Sequence, residues 1–122
     1  MRDTAHGVTS AVAKNRCGAG STGRGEECIK INGSHTVVEL MRGGATPREA
    51  CLEALRRVAA NYGNDRQKLE QFGLDFYAVN KRGEHAAASL WNTNAARTRR
   101  AQYAVNDGGA SRLVDCAYLF ER

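Results

Sequence analysis

Residues 17–27 read Cys17-Gly18-Ala19-Gly20-Ser21-Thr22-Gly23-Arg24-Gly25-Glu26-Glu27, or CGAGSTGRGEE. Gly18, Gly20 and Gly23 make a G-x-G-x-x-G run, and the fold depends on what surrounds it. A dinucleotide-binding turn needs a strand before, a helix after, and a second parallel strand ending in an acidic residue about 20 positions on. Val8 to Val12 (VTSAV) is a short strand candidate feeding the glycines, and a helix is predicted from near Glu26. The third condition fails, because that helix runs into Gly43-Gly44 and then into another helix. A phosphate-binding P-loop fails too, since Arg24-Gly25 follows Gly23 where Lys-Ser or Lys-Thr is required.

The same segment has two other readings. Thr22 offers a hydroxyl and Gly23 an unobstructed N–H where a strand ends near a helix N-terminus, which suits a pocket of oxyanion-hole type. Alternatively, it is a tight strand-to-helix turn that uses glycine for its backbone angles and binds nothing. Spacing alone leaves both open.

Working outward, Ile29, Gly33, Thr36, Val37, Leu40 and Met41 fall on one helical stripe. Glu26 and Glu27 suit the positive end of that helix, and Arg42 suits its other end. Thr46-Pro47-Arg48-Glu49 predicts a second helix, with an N-cap hydroxyl, a proline in the first turn and a glutamate placed to close a capping box. Its buried stripe is Cys51, Ala54, Leu55, Val58, Ala59 and Tyr62, and Asn61 to Asn64 ends it. The period then changes to two. Leu74 to Val79 reads as a strand, residues 80–84 as a turn and residues 86–91 as the returning strand. Residues 102–105, a turn at 106–109 and a strand over 113–120 predict a second antiparallel pair. The order implies an α+β fold in one domain spanning 1–122, with two helices covering one face of a sheet.

The 122 residues, 42% of them hydrophobic, suffice for one core. No apolar run approaches the ~20 residues that span a bilayer, and no secretion signal follows Met1. We expect no membrane partner. A net charge of +5 and the Arg97-Thr98-Arg99-Arg100 cluster raise nucleic-acid binding. No aromatics interleave with that cluster, which reads as a solvated loop, so no nucleic-acid partner is expected. Cys17, Cys28, Cys51 and Cys116 are widely spaced, with buried free thiols the first reading and a disulfide the second. No histidines or carboxylates share metal-ligand spacing, so neither metal nor cofactor is expected. His35 reads as a mid-helix packing or hydrogen-bonded residue and His85 as exposed beside a turn; His6 has no assigned role. Trp91 reads as core or edge packing, with lining of a sugar site as the alternative.

Gly20-Ser21-Thr22-Gly23-Arg24-Gly25-Glu26-Glu27-Cys28-Ile29-Lys30, with Ser34 to Met41 and Thr46 to Cys51, resembles the β-subunit of glycosylasparaginase (aspartylglucosaminidase). Phe76 to Glu84 and Tyr103-Ala104-Val105 resemble the C-terminal hairpin strands of that family. The resemblance covers nearly everything from Gly18 onward. It implies membership of the N-terminal-nucleophile amidohydrolases related to plant-type asparaginases, and part of an αββα sandwich. It also implies autoproteolysis into α and β chains and hydrolysis of the amide joining N-acetylglucosamine to asparagine, or of a related aspartyl amide. A threonine freed at the β-chain N-terminus is the nucleophile in that family, with its own amine as base. Thr22 and Gly23 match the oxyanion-stabilising, substrate-facing pair, while Arg24 stands where some members carry histidine.

Only 21 residues precede Thr22. Asp3-Thr4 therefore has two readings. As the remains of a G-D-S-P-like segment it puts Asp3 in a substrate-binding role; as a processing junction it makes Thr4 the nucleophile but requires loss of a strand pair. The first is favoured, because removing a strand pair exposes core and sheet edges; simple terminal fraying of Asp3 and Thr4 is the plainer alternative. The expected partners are then a small-molecule glycosylated asparagine or aspartyl amide and an α-subunit or missing N-terminal segment, assembled as an αβ heterodimer or its dimer. The chain alone is expected to be an inactive fragment, and the alternatives are a non-catalytic interaction module pairing with another chain or a basic nucleic-acid-binding domain.

Overall fold

A computed structural model describes residues 9–12, 17–106 and 108–122. The chain is α+β. Strands β1 (Thr9–Val12) and β2 (Gly18–Gly23) are followed by helices α1 (Gly25–Lys30), α2 (Gly33–Arg42), α3 (Pro47–Ala60) and α4 (Arg66–Leu69). Then come β3 (Leu74–Val79), β4 (His85–Trp91), β5 (Gln102–Val105), β6 (Arg112–Asp115) and β7 (Ala117–Phe120). One sheet runs β1-β2-β3-β4-β7, and β5-β6 form a separate hairpin.

The glycine run is a strand and not the loop expected from its composition. Gly18 to Gly23 pair antiparallel with β1 on one side and with β3 on the other. That pairing removes the parallel neighbour on which a dinucleotide fold depends.

The single helix expected from Glu26 to Arg42 is two. Asn32 takes left-handed angles (φ 53°) and separates α1 from α2. Its carbonyl accepts from Thr36 N, and Thr36 Oγ1 donates to Ile31 O at 2.7 Å, closing the junction with local bonds. The break rotates α1 relative to the stripe, so Ile29 is 73% exposed instead of buried. Gly33 opens α2 against the sheet. A Cβ there would stand 2.6 Å from both Cys28 Sγ and the Phe76 ring, so the helix reaches this depth only with glycine.

Helix α3 forms where its local signals place it, with Pro47 in the first turn and Thr46 and Glu49 exchanging both bonds of a capping box. Ala50, Cys51, Ala54, Leu55, Val58 and Ala59 are buried against Phe76, Ala88 and Leu90 of the sheet. Burying such a stripe contributes roughly 25 cal/mol for each Å² of apolar surface removed from water. The short α4 was not foreseen. Asp65 caps it through Oδ1, and Leu69 is its buried anchor.

The expected strand over 113–120 breaks at Cys116, where the chain passes from the β5–β6 hairpin into the main sheet. Consequently β7 lies parallel to β4, and the sheet is not wholly antiparallel as expected. Asn92 N donates to Phe120 O and Cys116 N to Ala101 O, which fasten this return. All four cysteines are free thiols, with Cys17, Cys28 and Cys51 buried. Helices α2 and α3 cover one face of the sheet; the β5–β6 hairpin stands over the other.

Candidate functional site

Residues directly opposite in a ladder share a face. Thr22 opposes Asp75, Asp75 opposes Ser89 and Ser89 opposes Tyr118, so these side chains form one row across β2, β3, β4 and β7. The row lies on the face away from the helices, since the alternate residues Leu74, Phe76 and Ala78 carry the buried side of β3. Thr22 Oγ1 donates to Asp75 Oδ2 at 3.5 Å, and the Ser89 hydroxyl also bonds this carboxyl. Burial pushes the Asp75 carboxyl above its ordinary range, while the two hydroxyls partly oppose that rise.

Asp75 stands between two clefts. The first, of about 720 Å³, lies between the sheet and the β5–β6 hairpin, and is bordered by Gly20, Thr22, Tyr77, Tyr103 and Cys116. The second, of about 740 Å³, opens toward residues 92–101 and is bordered by Arg24, Phe72, Ser89, Asn94 and Arg122. The first is mainly apolar with a few converging polar groups, which is the usual character of a small-molecule site.

Thr22 and Gly23 sit together at the end of β2, two residues from the start of α1. Gly23 has φ 113°, and a Cβ on it would meet Gly73 O at 2.4 Å. Close approach of the two segments therefore explains this glycine by itself. Arg24 N donates to Gly73 O at 3.1 Å, and the Arg24 guanidinium bonds Gln71 O at 3.2 Å and stacks over the Phe72 ring. Arg24 thus fastens the site's margin to the α4–β3 turn. Asp3, Thr4 and His6 lie outside the described residues.

Two polar residues of this region were not singled out from the sequence. In the sequence Asp75 belongs to a strand, and its signal is a carboxylate inside the otherwise apolar LDFYAV. Glu27, which the sequence offers as a charge for the helix dipole, is 1% exposed. Tyr62 O–H donates to its Oε2, and Lys30 Nζ lies 3.5 Å from Oε1. This hydrogen bond is also the main reason that the Tyr62 phenol is raised above its ordinary range.

The histidines take peripheral positions. His35 lies in the first turn of α2 with its side chain 57% exposed, facing Glu39 at 3.9 Å, and is neither mid-helix nor packed. His85 is exposed beside its turn, with Nδ1 2.9 Å from Tyr103 Oη. Trp91 is core packing and not a sugar platform. It is 2% exposed, and its Nε1–H donates to Leu69 O and Phe72 O. Arg97, Arg99 and Arg100 are exposed on the loop after β4, where Arg100 pairs with Asp115 at 3.2 Å.

No protein-family model matches the chain. A stretch of 74 residues is 43% identical to the N(4)-(beta-N-acetylglucosaminyl)-L-asparaginase of Elizabethkingia miricola, covering 60% of this chain and 22% of that protein. Over 71 residues it is 37% identical to the probable isoaspartyl peptidase/L-asparaginase 3 of Arabidopsis thaliana, covering 58% of this chain and 18% of that protein. The matches thus span about a fifth of the length of these two relatives. Over these stretches the chain is similar to a glycosylasparaginase and to an isoaspartyl peptidase/asparaginase.

Proposed function

We propose that this chain forms the substrate-facing, oxyanion-stabilising part of an amidohydrolase acting on an aspartyl amide, with N-acetylglucosaminyl-asparagine as the preferred substrate. Thr22 carries the reading: it combines a hydroxyl at the margin of an apolar cleft with the position of the family's oxyanion threonine in the T-G-x-G-E-E motif. In this mechanism an N-terminal threonine nucleophile, released by autoproteolysis, attacks the carbonyl carbon with its own amine as base. Thr22 O–H and the Gly23 backbone then receive the negative charge that moves onto the carbonyl oxygen. The nucleophilic threonine and the grip on the substrate's α-amino group, for which Asp3 is the candidate in this chain, lie outside the described residues.

Support comes from the two relatives and from the position of Thr22 beside the cleft. The test is hydrolysis of N-acetylglucosaminyl-asparagine, free asparagine and a β-aspartyl dipeptide by the protein expressed from its full reading frame. Thr22→Ala is expected to lower kcat by roughly 10²–10³-fold with little change in KM, as for loss of one oxyanion donor. Unchanged kcat in that variant would remove the proposed role. A rise in KM alone would make Thr22 a binding group.

A further inference from the structure

The hydroxyl assigned to the oxyanion is already engaged. Thr22 Oγ1 donates to Asp75 Oδ2, and a hydroxyl has only one proton to give. While Asp75 is a carboxylate, it holds that proton, which is then not offered to a substrate oxygen. Its negative charge also opposes any negative charge developing next to Thr22. A protonated Asp75 removes both conflicts. Its acid O–H donates to Thr22 Oγ1, and the Thr22 proton turns into the cleft.

We propose that Asp75 is a positioning residue for this site, and that its protonated form makes Thr22 an oxyanion donor and gives the reaction an acidic limb. The proposal rests on the oxyanion reading of Thr22. It predicts that kcat falls as pH rises through the titration of Asp75.

The surroundings of Asp75 favour a proton there. It lies inside the sheet between two neutral hydroxyls, Thr22 and Ser89, and none of the ion pairs among the described residues includes it. On the hairpin side it faces Tyr77, Tyr103 and Cys116. Burial raises the Tyr103 phenol above its ordinary range, and the Cys116 thiol is pushed up to about 11, by burial first and by the charge of Asp75 second. His85, at the outer end of the same cleft, is held by Tyr103. On the other side, Arg24 and Arg122 are stacked on Phe72 and Trp91, and Arg100 is paired with Asp115. Arg99 and Glu70 are exposed at the rim and of opposite sign.

Two measurements test the proposal, both on the protein expressed from its full reading frame. The first needs no activity. Aspartate labelled with ¹³C at the carboxyl carbon is followed by NMR through a pH titration, with Asp75→Asn identifying the signal. Thr22→Val removes a donor to the carboxylate and is expected to move the Asp75 titration to higher pH. An unmoved titration would overturn the coupling.

The second is the pH dependence of kcat. Wild type is expected to lose roughly tenfold per pH unit above the Asp75 titration. Asp75→Asn, whose amide N–H replaces the acid O–H as donor to Thr22, is expected to flatten that limb, and Asp75→Ala to lower kcat at every pH. A His85→Gln variant that keeps the limb excludes His85 as its source. If Thr22→Ala abolishes hydrolysis while Asp75→Asn keeps the wild-type limb, the Asp75 proposal fails alone. If Thr22→Ala hydrolyses normally, or no substrate is cleaved at all, the oxyanion reading fails and takes the proposal with it.

Discussion

At the scale of single residues, one glycine and one carboxylate mark where the packing is least tolerant. Gly33 meets Cys28 Sγ and the Phe76 ring at a distance no Cβ can occupy. Gly33→Ala is therefore expected to destabilise the fold by about 1–3 kcal/mol, read as a lowered urea midpoint at unchanged slope. Asp75 has the opposite character, since its ionised form is what the fold disfavours. Its folded-state titration lies above the unfolded value, near 3.9. The native state therefore holds this proton more tightly, and the associated stability is fully present below the unfolded value. It is lost as pH rises through the folded value. Asp75→Asn should accordingly raise the Tm at pH 7, with the gain shrinking as pH falls toward 4. A constant gain across that range would mean that charge is not the cause. Neither Asp75 nor Glu27 was visible as special in the sequence, because each depends on partners far along the chain: Thr22 and Ser89 for one, Tyr62 for the other.

At the scale of elements, legibility followed locality. Helix α3 was readable end to end because its cap, its proline and its apolar stripe all lie within one short segment. Thr46→Ala removes the acceptor for Glu49 N, a bond of 3.1 Å. The expected cost is about 1 kcal/mol, measurable by chemical unfolding. The Glu49 carboxyl is held below its ordinary range, first by the Thr46 backbone N–H and then by its side chain. Its contribution is present above the unfolded value and fades as pH falls through the folded one, so the penalty of Thr46→Ala should diminish in acid. By contrast, the break between α1 and α2 is fixed by the depth at which Gly33 meets the sheet, which no helical period reports. The glycines of β2 hid a strand by lacking β propensity, and only pairing on both sides makes them one. Likewise, the division of 113–120 at Cys116 comes from each half having a different partner strand, β5 for one and β4 for the other.

At the scale of the whole molecule, the sheet order puts β1 and β7 at its two edges and β2-β3-β4 in the middle. The sequence was sufficient for the α+β class and for helices over one sheet face. It did not reveal that the opposite face carries the row from Thr22 to Tyr118 under a separate hairpin. That arrangement is settled by pairings between residues far apart in the chain, Thr22 with Asp75 and Ser89 with Tyr118. The same long-range closure leaves the rest of an αββα sandwich as an expectation from resemblance.

Trp91 turns this closure into something that can be watched. It is the chain's single tryptophan, and its ring is enclosed by Phe120 from β7, by Arg66 from α4 and by Arg122. Its emission should therefore be blue-shifted in the native state. Phe120→Ala is expected to shift it to longer wavelength and to increase quenching by acrylamide, while far-ultraviolet circular dichroism from α2 and α3 remains. The indole is in effect a built-in optical gauge of whether the end of the chain has come home to the sheet.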